Sequence, residues 1–257
     1  MPDSSDTRSR QAADPTTEPS SPDAIERRRR SELELRNRLI GWGRDPIAIE
    51  LPDLPGHSLI RVVEPVEAAK RMLALFAVAV RGESMAGSNP ISLSRIADRM
   101  PIGVTSLSTN ERELLLNDHA SLEQIDSMVW RYESVFALQW ALQMQPDLCW
   151  PDQRCDLHSV SRLMLDLPHD DIVSQSRWRS ANELTDAADL HFRAWWSVAV
   201  AQTEGVQITT EIDPGIVAER WQALAWICQL APSPRIASWD DVQIWIDQGM
   251  PAGGVAK

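Results

Sequence analysis

Residues 121–144, SLEQIDSMVWRYESVFALQWALQM, decide the fold. Ile125, Val129, Tyr132, Phe136 and Trp140 recur at helical spacing along one stripe, and Trp130, Ala137 and Ala141 along another. A helix that is apolar on nearly every side belongs in the middle of a domain. Its few charges, Arg131 and Glu133, then need partners, because burying an unpaired charge is expensive.

The neighbouring segments read as further helices. Pro65 fits a first helical position, and Val66, Ala69, Leu73, Phe76 and Val80 form an apolar stripe that stops before Gly82. In RSANELTDAADLHFRAWW, 179–196, Ser180 and Glu183 have capping-box spacing, while Leu184, Ala188, His191 and Trp195 share a face. Asp189 precedes Arg193 by four residues, a favourable ion-pair spacing, and Asp186 lies seven before it on the same side. Asp213-Pro214 caps a helix reaching about Leu230, a short helix lies near 157–167, and Ser238 or Trp239 opens the last one. The stretch 91–114 opens like a helix-turn-helix, but Pro101 and Gly103 lengthen its turn and the would-be reading helix offers Glu111 and Glu113 beside one Arg112. A short helix followed by one boxed by Ser108 and Glu111 fits better.

Residues 1–24 hold four prolines and almost no large apolar side chain, so they read as a disordered tail. The run RRRR, 27–30, is followed by SELELRNRL, whose spacing and acids make it a solvated first helical turn rather than a nucleic-acid or membrane contact. Four prolines in 44–65 favour an extended linker over 44–64 with room for one short strand. Nothing repeats with a period of 20 to 50 residues. The expectation is a mainly α fold, one helical domain of about eight or nine helices over 25–250, with residues 251–257 flexible.

Charge and cysteine usage narrow the function classes. The formal net charge is -12, and residues 1–44 hold nine Arg against eight acidic residues, so the excess of acid belongs to the folded part. Such a field repels phosphate backbones and anionic lipid, which argues against nucleic acid and membrane as partners. The longest strongly apolar run, MLALFAVAV at 72–80, falls well short of the ~20 residues of a membrane span. Three cysteines without a CxxC pair suit reduced thiols in a cytoplasmic protein.

Several stretches together resemble the bacterial family described as domain of unknown function 4272: ELRNRLIGWGRDPIAIELP, LSTNEREL, WRYESVFALQWAL, RSANELTDAADLHFRAWW, and GIVAERWQALAWI followed by WDDV. The resemblance runs from about residue 26 to 247 and implies a helical fold without a particular activity. Two departures stand out. The family pattern has a histidine and then an asparagine where this chain has Trp221 and Ala225, and its WDDV continues to an Asp-Thr pair that QIWID does not match.

The polar residues inside these motifs are Arg131, Glu133, Glu183, Asp186, Asp189, Arg193, Glu219, Arg220, Asp240 and Asp241. One reading gathers them in a cleft, with a hydrolytic site, with or without a divalent metal, built from Glu133, Glu183, Asp186 and Glu219. The other pairs Arg131 and Arg220 with the acids as ion pairs that fix helix packing, and reads Asp240 and Asp241 as first-turn carboxylates. With no nucleophile motif, glycine loop or ligand frame such as HExxH, packing is preferred, and no cofactor or metal is expected. Asp156, His158, His169, Asp170 and Asp171 are the weaker metal candidates. The function expected is a non-enzymatic interaction or accessory module. Of its eleven tryptophans, Trp42, Trp150, Trp239 and Trp245 fall at element ends, where exposed ones could anchor a protein partner.

Overall fold

Prolines and short polar side chains set the helix starts of the computed structural model, which describes residues 21–47, 51–56, 58–87, 90–231 and 237–247. Pro22, Pro65, Pro101 and Pro214 open α1 (Pro22–Arg38), α2 (Pro65–Ala86), α4 (Pro101–Thr105) and α10 (Pro214–Ile227), positions whose missing N–H costs nothing. Side-chain caps open α3 (Leu93–Arg99), α5 (Thr109–Leu116), α6 (Leu122–Ala141), α7 (Leu157–Asp166) and α9 (Ala181–Thr203). The Ser108–Glu111 and Ser180–Glu183 capping boxes form as the sequence suggests, and Ser121–Gln124 adds a third. Asp213 accepts from the Gly215 and Ile216 amides. Two more helices, α8 (His169–Ser174) and α11 (Trp239–Asp247), bring the total to eleven among the described residues, with one 3-10 turn at Ile40–Trp42 and no strand.

The count exceeds the eight or nine expected because Pro101 starts a helix of its own and LPHDD winds into α8 rather than a turn. The first helix also begins at Pro22, inside the stretch read as tail; residues 1–20 and 251–257, where the tail and flexible end were expected, lie outside the described residues. So does part of the 44–64 segment, whose described residues contain no strand.

Helix packing runs in the order α2, α6, α10, α9, α1, with α6 the central member and α11 laid on α10. The largest core draws buried residues from Leu51 to Ile246 and is dense in α2 and α6, including Leu73, Phe76, Tyr132, Leu138 and Trp221. A second cluster joins α1, α9 and α10 through Leu35, Val198 and Val217. The buried apolar stripe of α2 ends at Ala79, before Gly82, but the helix does not. The helix runs on to Ala86, and the absent side chain at Gly82 lets α6 close in, since a Cβ there would lie 2.5 Å from the Met128 Cβ.

The RRRR run is not merely a solvated turn. Arg27 is buried and donates to the Leu54 and Pro55 carbonyls at 2.9 and 2.8 Å, Arg28 reaches Asp53 and Arg30 reaches Asp186. The long arginine stems cover apolar surface while their heads tie the extended segment and α9 to α1. Among the described residues no helix is long and apolar enough to cross a membrane.

Candidate functional site

The α6–α10 contact holds four of the ten candidate residues in two crossed ion pairs. Arg131 donates to Glu219 at 2.9 Å, to Gln222 at 2.9 Å, and to Gln243 of α11 at 3.0 Å. The second Glu219 oxygen accepts from Ser134 at 2.6 Å. Deeper in, Arg220 Nε donates to Glu133 at 3.0 Å, and the other Glu133 oxygen accepts from the Cys155 amide at 2.7 Å. Arg220 also donates to the Cys149 carbonyl at 2.6 Å and stacks over Phe136. Arg220 is fully buried and Glu133 only 2% exposed, so each charge depends on the other. The Cys155 thiol beside them is pushed up first by burial and then by the Glu133 charge, and burial alone pushes Cys228 up to about 12, so neither is a thiolate at neutral pH.

The remaining six candidates lie elsewhere. Asp189 and Arg193 are both fully enclosed and bonded through two N–H···O contacts at 2.9 and 3.1 Å, as their spacing suggests. Asp186 does not join them; it turns to Arg30 of α1 at 2.8 Å. Glu183 completes its capping box and pairs with Arg179 at 3.1 Å. Asp241 exchanges bonds with Ser238 at 2.9 and 3.1 Å, a capping arrangement at the start of α11, and Asp240 accepts from the Asn110 amide. The ten residues therefore do not meet in one cleft. Trp221 and Ala225, where the family pattern carries polar residues, are both fully buried.

Glu183 and Asp186 line a separate cleft of about 550 Å³ between α1, α9 and the chain after α6. Arg27, Arg30, Arg179 and His191 share it, and sequence patterning gave no sign that they would meet. Arg179 lies over the Trp140 ring and donates to the Trp140, Gln145 and Pro146 carbonyls. Hydrogen bonds from Ser180, with Arg179 adding to them, hold the Glu183 carboxyl below its usual range; burial pushes that of Asp186 upward against the pull of Arg30. His191 is buried with Nδ1 on the Ala187 carbonyl at 2.9 Å, and its Nε2 has no partner. The cleft thus holds two ion pairs, Arg30–Asp186 and Arg179–Glu183, beside a buried imidazole whose Nε2 is unpartnered.

His191 also sets an acid limit. Burial, helped by the Arg220 charge, lowers its pKa from 6.5 to about 4. The unfolded chain therefore takes up this proton first as pH falls, so the stabilisation is complete above pH ~6.5 and is lost toward pH ~4. Between pH 7 and pH 5 we expect His191 to account for a loss of about 2 kcal/mol. Urea unfolding of wild type and His191→Gln at both pH values checks this, because the variant lacks that share of the slope.

Among the described residues no three His, Cys, Asp or Glu side chains gather as a metal site. Asp156 caps α7 by accepting from the His158 amide, His169 meets the Met164 carbonyl, and Asp170 and Asp171 occupy the first turn of α8. Residues 27–242 match the family model described as "Domain of unknown function (DUF4272)", and the chain belongs to that family. No curated protein and no solved structure matches it.

Proposed function

We propose that this member of the DUF4272 family is a non-enzymatic interaction or accessory module of the cytoplasm, an acidic helical body that engages a basic protein partner rather than nucleic acid or membrane. The observation that carries this reading is the pairing of the carboxylates: Glu133 with Arg220, Glu219 with Arg131, and Asp189 with Arg193, each across or along packed helices. A carboxylate fixed in this way braces helices and has no free oxygen for acid–base work. The hydrolytic alternative needs Glu133, Glu183, Asp186 and Glu219 to converge, whereas the first and last lie in the α6–α10 contact and the other two line the α1–α9 cleft.

The partner surface does not consist of fully exposed indoles. All eleven tryptophans are buried or half-buried, Trp42 and Trp239 among the buried ones. Attraction for a basic partner rests on the net charge of -12, with half-buried ring edges such as Trp150 and Trp245 as supplementary contacts.

Thermal unfolding of wild type and Glu219→Gln across divalent metals, nucleotides and small anions tests this reading. No ligand is expected to raise the midpoint, and the variant should melt earlier because Arg131 and Ser134 lose a charged acceptor, an effect of about 1–3 kcal/mol. A ligand that stabilises the wild type but not a folded Glu219→Gln would overturn the proposal in favour of a carboxylate-centred site.

A further inference from the structure

Arg95 and Arg99 stand four residues apart on α3, so their heads share a face. Neither side chain has a hydrogen-bond or ion-pair partner among the described residues. The interior arginines contrast with them: Arg71, Arg193 and Arg220 are each held by a carboxylate. The protein is otherwise rich in acid that could have served the α3 pair, with a net charge of -12.

What the two arginines border is a cavity of about 440 Å³ between α2, α3, α6, α7 and the start of α8, where His169 lines it. Its floor is apolar and buried, formed by Phe76, Ile96, Met100 and Met164. Leu165 also lines it, at its solvent-facing rim and 67% exposed, where a ligand's hydrocarbon would cover it. Two polar groups in the lining are already matched, since Tyr132 donates to Glu83 at 2.6 Å. Burial and the Glu83 carboxylate push the Tyr132 phenol up, so it stays a donor to that acid. Unmatched cations at the edge of an apolar hollow leave one kind of complement.

We propose that this cavity binds a single-chain amphiphile with an anionic head, its hydrocarbon on the Phe76–Ile96–Met100–Met164 floor and its carboxylate or phosphate between Arg95 and Arg99. Flexible Met side chains suit the floor to a ligand without fixed shape. The guanidinium pair supplies the selectivity, because a head without negative charge leaves both cations unmatched and a cationic head is repelled. This site is distinct from the α1–α9 cleft and does not depend on the partner reading above.

The test is calorimetric titration of the full chain with decanoate, decyl phosphate and decylamine, each below its micelle concentration. Wild type, Arg95→Gln/Arg99→Gln and the cavity-filling Val80→Phe are compared, with helicity checked by circular dichroism. The arginines are exposed and unpaired, so their replacement leaves the fold intact. Wild type is expected to bind one decanoate or decyl phosphate per chain at least about tenfold more tightly than decylamine, the tighter of the two anions identifying the head. The double glutamine variant loses that preference, and Val80→Phe weakens every chain. Equal binding of decanoate, decyl phosphate and decylamine, a double variant that binds the anions as well as wild type, or no saturable binding would each overturn the proposal.

Discussion

Glu133→Ala is expected to lower folding stability by about 3–5 kcal/mol, among the largest effects of any single substitution in this protein. The residue is 2% exposed, and its removal strands the fully buried guanidinium of Arg220. Water cannot reach that charge without opening the α6–α10 contact, and the aromatic face of Phe136 is a poor substitute for a carboxylate. The Cys155 amide loses its acceptor in the same step. Replacing both partners with apolar residues, as Glu133→Leu/Arg220→Met, removes the stranded charge and should recover much of the loss. The recovery stays incomplete, because the Cys155 amide and the Cys149 carbonyl are left without their side-chain partners. Urea unfolding followed by circular dichroism gives both values; an Ala variant within 1 kcal/mol of wild type would mean that Arg220 finds another counter-charge.

Trp221→Ala should cost a similar amount, about 3–5 kcal/mol. The indole is fully buried in α10 and packs on Phe192 of α9 and Trp245 of α11, with ring centroids 5.3 and 6.1 Å away. Its removal leaves a cavity where three helices meet, and close packing there cannot collapse without moving one of them. The indole N–H has no hydrogen-bond partner. A Trp221→Phe variant therefore sheds an unmet donor along with some volume, and its loss should be well below that of the alanine. If alanine and phenylalanine variants melt together, packing at 221 is not what joins α10 to α9 and α11.

Local signals in the chain were readable, whereas partners distant in sequence were not. Capping boxes at Ser108–Glu111 and Ser180–Glu183, the Asp213 cap and the Asp189–Arg193 pair all depend on residues within one helical turn, so spacing alone reveals them. The α6 pairs need residues 87 and 88 positions away, and spacing shows only that Arg131 and Glu133 require partners, not which acid meets which arginine. Gly82 looks like a helix stop because its φ/ψ freedom is visible in sequence, while the approach of Met128 that makes glycine necessary comes from α6. Arg27 reads as solvated for a related reason. Four consecutive arginines look like a charged surface, and nothing local shows that the Leu54 and Pro55 carbonyls fold over the first of them. The cavity beneath Arg95 and Arg99 was equally invisible, being assembled from five helices.

A double-mutant cycle across Glu133 and Arg220, read as unfolding free energy in the absence of any ligand, tests most directly whether the paired acids of these motifs hold helices together. The account expects both single variants, Glu133→Leu and Arg220→Met, to be destabilised, with a favourable coupling of about 2 kcal/mol or more between the two residues. Single variants as stable as the wild type or more stable, with no coupling, would contradict it. Groups held in place for chemistry at a cost to the fold behave in that way when removed.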